Sequence, residues 1–408
     1  MSTKDKKLNV WYAFILGAYW MIFAVSSIFV VPLLRLRGFD DSQIGLLIAI
    51  RSVSAFCVSP VIATFSDRHR TFQIKNILMI LLLINITNTC IFQFCELNYP
   101  ATVLSFIILG ASTNTMPPLH SSIAMKFNEN GRNLIYSIGR GTGSICYAIV
   151  SLLLGQFVSS DNYSASLYIQ IGLDIFSLIC IFFFPKYRTG EDELAMKSGT
   201  QEDEVHSIGY LLKQYPNFML FLIASVLVFV GYCMCNSFMI DIIISRGGDN
   251  ADMGISCFIL GAAELPTAIL FPVLRKKFGT KRLLEISAVF ALMKMVFLYL
   301  SRNVIAIFFS QTLQMLGNGM YWPTSVYYVN EAISGKDQVK GQSLANIASV
   351  NVGAVLGSVV SGKLLSYIDI DAVILFGCGC SFFGVIFMFL STRLKLKAGE
   401  KRVVCMNQ

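Results

Sequence analysis

Five ionisable residues stand inside long apolar stretches of the 408-residue chain: Arg51, Arg140, Asp174, Glu264 and Lys294. An ionised group among apolar neighbours needs a partner or a wet cavity, so each marks a functional site or a structural ion pair. Arg140 lies in Gly139-Arg140-Gly141-Thr142-Gly143-Ser144. Small residues thin one face of a helix and admit close packing or a ligand. A guanidinium there suits two-pronged hydrogen bonding to hydroxyls or a carboxylate. Tyr147 follows seven residues later, on the same helical face. An arginine and a ring on one stripe would suit a sugar, whose hydroxyls need donors while its C–H face stacks. They would suit an aromatic acid equally. The alternative is structural, with Arg140 tied to a neighbouring helix and Tyr147 packed at an interface.

Glu264 opens Glu264-Leu265-Pro266, where the proline frees a backbone carbonyl and bends the helix. A carboxyl in such a place is a candidate proton site, a hydroxyl acceptor, or both. Asp174 is a second candidate for the proton. His120, just after Met116-Pro117-Pro118, is either a substrate contact or a packed core residue. Gln311, Gln314 and Asn318 recur at i, i+3 and i+7, with Tyr321 and Trp322 beyond them. That polar stripe with aromatic tips would line a cavity, and Asn346 and Asn351 would extend it.

The elements that must position these residues are membrane spans. Hydrophobic residues make up 55% of the chain and charged residues 14%, with a mean hydropathy of +0.65. A soluble domain carries roughly 25% charged residues, so lipid covers most of this exterior. Apolar segments long enough to cross a bilayer recur at 10–34, 44–65, 74–94, 101–125, 138–158, 166–185, 217–241, 253–274, 283–300, 303–329, 341–365 and 371–392. The expected fold class is an all-α membrane protein of twelve transmembrane helices. The first segment is too long for the apolar part of a cleavable leader and reads as the first span.

Of the 32 Lys and Arg, 24 fall in the two tails and every second loop, and four (Arg35, Arg37, Arg246, Arg302) fall in the opposite loops. That bias places both tails in the cytoplasm. The long acidic loop at 187–214 divides the chain into two six-span halves, 1–186 and 215–408. Asp67-Arg68 follows the second span, and the basic run from Arg275 to Arg282 follows the eighth, six spans later. A parallel repeat predicts two pseudo-symmetric halves rocking about a midplane site. The two turns are then gating contacts, or else plain solvated turns that obey the charge bias.

Other classes find little support in the residues. The eleven Cys show no CxxC pair or metal-ligand spacing and read as small packing residues. The net charge of +8 follows the loops and forms no nucleic-acid footprint. No nucleophile–base arrangement or phosphate loop is present, so neither an enzyme nor an ATP-driven pump is expected. A receptor would more naturally carry a soluble output domain, for which the loop and tails leave no room.

The stretch Ala63-Thr64-Phe65-Ser66-Asp67-Arg68 resembles the loop signature of the major facilitator superfamily, with the usual glycine at its start replaced. More narrowly, the chain resembles the lactose permease branch: the oligosaccharide:proton symporters and the related nucleoside and phenylpropionate permeases. Gly139-Arg140 through Tyr147 looks like that branch's span-five sugar site, with Arg140 at the essential arginine and Tyr147 at the stacking tryptophan. The segment around Glu264-Leu265 looks like the span-eight stretch bearing the sugar-binding glutamate, and Lys294 falls where a span-nine arginine helps deprotonate the proton carrier. The span-four glutamate has no counterpart near His120-Ser121-Ser122. The span-ten lysine, histidine and glutamate are replaced by Gln311, Gln314 and Gly317, which removes the branch's proton carrier. Arg51, spaced before Pro60 and Asp67, looks more like the phenylpropionate and nucleoside groups.

The resemblance implies a monomeric secondary transporter of a bacterial inner membrane, a proton-coupled symporter of a small hydroxylated solute, foremost a sugar or oligosaccharide. Arg140, Tyr147, Glu264, His120, Gln311, Gln314 and Asn318 would bind the solute, Glu264, Asp174 and Lys294 would couple the proton, and Asp67 and Arg68 would gate. The proton gradient would be the energy source, with no cofactor or metal. The alternatives are a proton-linked permease for an aromatic acid or nucleoside, with Arg140 or Arg51 clamping a carboxylate, and a multidrug-type efflux carrier.

Overall fold

Two nine-residue stretches, 209 positions apart, start equivalent helices. Residues 37–45 read Arg-Gly-Phe-Asp-Asp-Ser-Gln-Ile-Gly, and residues 246–254 read Arg-Gly-Gly-Asp-Asn-Ala-Asp-Met-Gly. The computed structural model describes residues 3–68, 72–129, 131–158, 162–186, 208–333 and 338–393, and in it the two stretches take the same form. Gly38 (φ 84°) and Gly247 (φ 79°) turn the chain through the left-handed region, where a side chain would be strained. Asp40 and Asp249 follow as helix caps. Asp40 accepts from Gln43 N at 2.8 Å and donates its own N–H to Gln43 Oε1 at 3.2 Å. Asp249 and Asp252 make the same exchange at 3.1 Å each way. Such a capping box satisfies two donors that a helix start leaves orphaned.

These caps begin the second span, Asp41–Arg68, and the eighth, Asn250–Phe278. Spans one and seven also match. Thr3–Ile28 breaks at Phe29 into Val30–Leu36, and Pro216–Ser237 breaks at Phe238 into Met239–Ser245. Spans three (Ile74–Phe94), five (Tyr136–Phe157), six (Ala165–Phe182), nine (Thr280–Leu300) and twelve (Ile370–Arg393) are single helices. Span eleven runs from Gln338–Asn346 through a wide π turn at Ile347–Val352 into Gly353–Tyr367.

Among the described residues, nine helices are long and apolar enough to cross a membrane, and the bent eighth span makes a tenth. Spans four and ten, expected as continuous, are instead each broken. Span four is Tyr99–Thr113 and Met116–Glu129, interrupted just ahead of Pro117-Pro118, where proline withdraws donors and constrains its predecessor. Span ten is Val304–Thr312, a 3-10 turn at Leu313–Met315, and Asn318–Ala332. In the expected linker, residues 187–207 lie outside the described residues, and Ile208–Gln214 forms a short helix leading into span seven.

Among the described residues, two helix pairs make the main packing between the halves: span two with span eleven, and span five with span eight. Both cross at glycines. A Cβ on Gly45 would come within 3.0 Å of Gly362 Cα and strike the Ser358 carbonyl. A Cβ on Gly254 would come within 2.9 Å of Gly155 Cα and 2.7 Å of the Ser151 carbonyl. Only glycine lets the backbones touch this closely. Both crossings lie at the end of the bundle away from the chain termini, and polar contacts gather there. Arg35 of span one pairs with Asp241 of span seven and, at 2.7 Å, with Asp41 of span two. Asn250 donates to the Val158 carbonyl at 2.9 Å and accepts from Tyr163 at 3.1 Å. Ser42 and Ser366 hydroxyls lie 3.1 Å apart. At the termini end, the ion pairs among the described residues stay within one half: Arg132–Asp5 at 3.3 Å, Arg275–Glu331 at 3.5 Å and Arg393–Glu285 at 3.8 Å.

Candidate functional site

The glycines of span five shape the site. A Cβ on Gly143 would collide with the Trp20 indole, and one on Gly139 would sit 2.8 Å from the Tyr12 ring. Span one therefore lays its aromatic side chains directly on span five. This seats the Trp20 ring against Arg140, whose guanidinium carbon lies 4.1 Å from the ring centroid. Such cation–π contacts contribute about 0.5–2 kcal/mol. Arg140 also donates to Ser144 Oγ, one turn on, at 2.7 Å. Its Nη2 reaches across the interface between the halves to Glu264 Oε2 at 3.8 Å.

Behind Glu264 the network continues through the second half. Gln314 Nε2 lies 3.5 Å from Glu264 Oε1, and Gln314 Oε1 accepts from Lys294 Nζ at 2.9 Å. Lys294 is buried, 5.1 Å from the Tyr232 ring centroid. The breaks in the helices serve this geometry. Pro266 withdraws an N–H next to Glu264, and the eighth span bends by 59° between Thr267 and Leu270. Thr267 Oγ1 donates at 2.5 Å to the Met315 carbonyl, which the span-ten break leaves free. The result is a continuous polar line, Arg140–Glu264–Gln314–Lys294, running across the contact of spans five and eight.

Residues 12–376 match the MFS_1-like family. This chain belongs to that family and is a major facilitator transporter. It is 23% identical to a maltose permease of Geobacillus stearothermophilus over 395 residues, 96% of each chain. Among solved structures it is similar to a point mutant of the nucleoside transporter NupG with a TM-score of 0.81 at 15% identity, covering 94% of this chain and 99% of that one. It is also similar to a point mutant of the peptide transporter POT, solved in complex with alafosfalin. There the TM-score is 0.71 at 11% identity, with 96% of this chain and 94% of that one covered. The transporter is therefore a multi-pass membrane protein with a small-molecule substrate, and these relatives are transporters rather than enzymes.

The structure brings together Arg140, Glu264, Lys294 and Gln314 from the expected set. Tyr147 faces span eight as well, where a Cβ on Gly261 would come within 3.1 Å of its ring. The ring beside the guanidinium is Trp20, not Tyr147. Gln311 and Asn318 are buried outside the polar line, with Gln311 Nε2 3.5 Å from Met239 Sδ. Their expected common stripe fails for a physical reason: the 3-10 turn between them changes the angular register of span ten. His120 is buried behind Tyr19, ring edge to ring face at 5.2 Å, and its carbonyl accepts from Tyr12 at 2.7 Å. Tyr19 in turn meets Trp20 at 5.4 Å, so His120 stands two rings away from Arg140.

Arg51 belongs elsewhere in the transporter: both its terminal nitrogens donate at 2.9 Å to Ser26, one to the carbonyl and one to the hydroxyl. Asp174 is buried inside the first half, accepting from Asn85 at 2.8 Å. Asp67 and Arg68 close the second-span helix, and their side chains lie outside the described residues. Trp20 and Tyr232 are not marked in the sequence. An aromatic residue in an apolar span carries no mark of its own, and the only signal was the Gly139/Gly143 spacing that makes room for one.

Proposed function

We propose that this transporter carries a small hydroxylated solute, a sugar or oligosaccharide, together with protons, by alternating access. The observation that carries the reading is the Arg140–Glu264 pair, with Trp20 against the guanidinium. It offers a forked donor and an acceptor for hydroxyls and a flat ring for a C–H face. A neutral polyol satisfies both charged groups at once. An acidic solute would have to displace a resident carboxylate from Arg140, which disfavours the aromatic-acid reading. A charged pair at this depth also disfavours a purely lipophilic cargo. The relative named a maltose permease supports a saccharide.

Glu264, Lys294 and Asp174 are the proton-coupling groups of this reading, and Arg140, Tyr147, Gln314 and Trp20 the solute contacts. The halves 1–186 and 215–408 rock about the two glycine crossings, with 187–214 as linker and Asp67 and Arg68 as gate. Both termini are cytoplasmic in a bacterial inner membrane, on the bias of Lys and Arg. In that orientation the joined end of the bundle faces outward and the site opens inward. The protein acts as a monomer, without metal or organic cofactor.

A nucleoside is the second reading, because its ribose hydroxyls and base would use the same pair and the same indole. Competition binding on the purified protein separates the two, using maltose and other disaccharides, uridine and adenosine, and phenylpropionate. Displacement by disaccharides alone supports the proposal. Displacement by nucleosides alone, or by phenylpropionate alone, removes the sugar and keeps the site.

A further inference from the structure

Asp174 has no role in the Arg140–Glu264 site, yet it is fully buried at the middle of span six. One carboxylate oxygen accepts from Asn85 of span three, and among the described residues the other, Oδ1, has no hydrogen-bond partner. Asn85 is held in turn by Ser112 of span four, at 3.3 Å. One turn from Asp174 on span six, Gln170 donates to Thr89, one turn from Asn85 on span three, at 3.3 Å. The two helices thus carry a two-rung polar ladder inside the first half. Gln170 and Thr89 form part of the wall of a cavity of about 40 Å³, with Ser26, Asn88, Ser105 and Ser166. At roughly 10–15 Å³ for each water, it has room for about three.

The cavity lies between the Asp174 rung and the end of the bundle away from the termini. It is capped there by Phe92, which carries Arg37 over its ring at 4.1 Å. The groups that face this region from the packed helices are few. Span one carries Tyr12 and Tyr19, span three Lys75 and Cys90, and span six itself Tyr168 and Cys180, while the charged first turn of span one, Lys4 to Lys7, lies at the opposite, termini end. Lys75 is engaged by the Phe182 and Phe184 carbonyls, and Tyr12 by that of His120. Arg51 of span two reaches the cavity wall only through Ser26. None of them forms an ion pair with Asp174 among the described residues. An ionised carboxylate left unpaired in such a place costs several kcal/mol, about as much as breaking a buried pair. A bound proton removes that cost, and the Asn85 amide is the one hydrogen-bond partner the carboxyl has among the described residues.

We propose that Asp174 is a proton-binding site within the first half, loaded through the Gln170–Thr89 cavity from the end away from the termini and separate from the solute site. Its use in coupling rests on the symport reading above. Binding is simple protonation, with the carboxylate gaining a proton from the water-filled cavity and later releasing it to water.

The test reads the proton itself. Full-length protein in lipid vesicles is titrated while its infrared spectrum is recorded, and Asp174→Asn is compared after circular-dichroism melting shows that it folds. The expected result is a protonated-carboxyl band at neutral pH that shifts in D₂O and is missing from Asp174→Asn. Gln170→Leu should slow deuterium exchange of that band. If Asp174→Asn fails to fold, Asp174→Glu replaces it and must move the band. A wild-type spectrum without the band, or a band that persists unmoved in the variant, overturns the site. So does a band lost when sodium chloride replaces choline chloride, which would make this a sodium site. Labelled maltose uptake on the same vesicles keeps the two claims apart. A band without pH-driven uptake supports the proton site and overturns the symport reading, whereas coupled uptake unchanged in Asp174→Asn overturns the coupling role.

Discussion

Glu264 Oε2 lies 3.8 Å from Arg140 Nη2, and this pair ties span eight to span five across the two halves. The side chains keep 25% and 35% of their surface exposed, so a solute can enter between them and take hydrogen bonds from one and give them to the other. Arg140→Lys keeps the charge and loses the fork, while Glu264→Gln keeps the shape and loses the charge. Each should weaken solute binding by roughly 10- to 100-fold, the size of a lost charged hydrogen bond. The double variant should lose less than the sum, because the residues share one site. Titration calorimetry on the four proteins checks this, and additive losses would assign the residues to separate roles.

Trp20 owes its position to Gly143, whose missing side chain leaves room for the indole. Trp20→Phe should retain most binding and Trp20→Ala should lose it. Gly143→Leu should mimic Trp20→Ala without altering the ring itself. With Trp11 and Trp322 replaced by Phe, the remaining fluorescence should change on adding solute. Unchanged affinity in Trp20→Ala would remove the indole from the site.

The charged members of the site were legible because apolar surroundings make an unpaired charge costly. Arg140, Glu264 and Lys294 therefore announced themselves, but their pairing did not. Asp174 looked the same in sequence as Glu264, and only the packing of span three against span six shows that it faces inward within one half. The break of span four carried a mark in Pro117-Pro118, whereas that of span ten had none, since Gly317 is an ordinary residue in an apolar run and tertiary contacts such as Thr267 with Met315 stabilise the break. The internal repeat was expected from the turns after spans two and eight. Its firmest mark, the capped Arg-Gly turns at 37–45 and 246–254, sits at the opposite end of the bundle.

The joined end should behave as a closed gate. Ser42 and Ser366 have hydroxyls 3.1 Å apart on spans two and eleven, a separation that suits a disulfide after Cys replacement. In a background with the exposed Cys57 and Cys95 changed to Ser, oxidation of the double-Cys variant should abolish transport while sparing solute binding from the termini side. Reductant should restore it. Full transport after quantitative crosslinking would show that this end need not open.

The proposed orientation rests on charge and is checked separately. Tags on either terminus and a protease site placed within 187–207 should be reached only from the cytoplasmic face. A thiol reagent that cannot cross the membrane should label Arg302→Cys from outside in intact cells. Labelling with the opposite sidedness would invert the topology.

The most direct measurement of the central claim is the accumulation of labelled maltose in right-side-out membrane vesicles under an imposed inward proton gradient, with wild type and Glu264→Gln compared. The account predicts uphill accumulation in the wild type that collapses with a protonophore, ignores sodium removal, and is absent from Glu264→Gln. Uptake that never exceeds equilibration with the gradient imposed, or accumulation that survives Glu264→Gln undiminished, would contradict it.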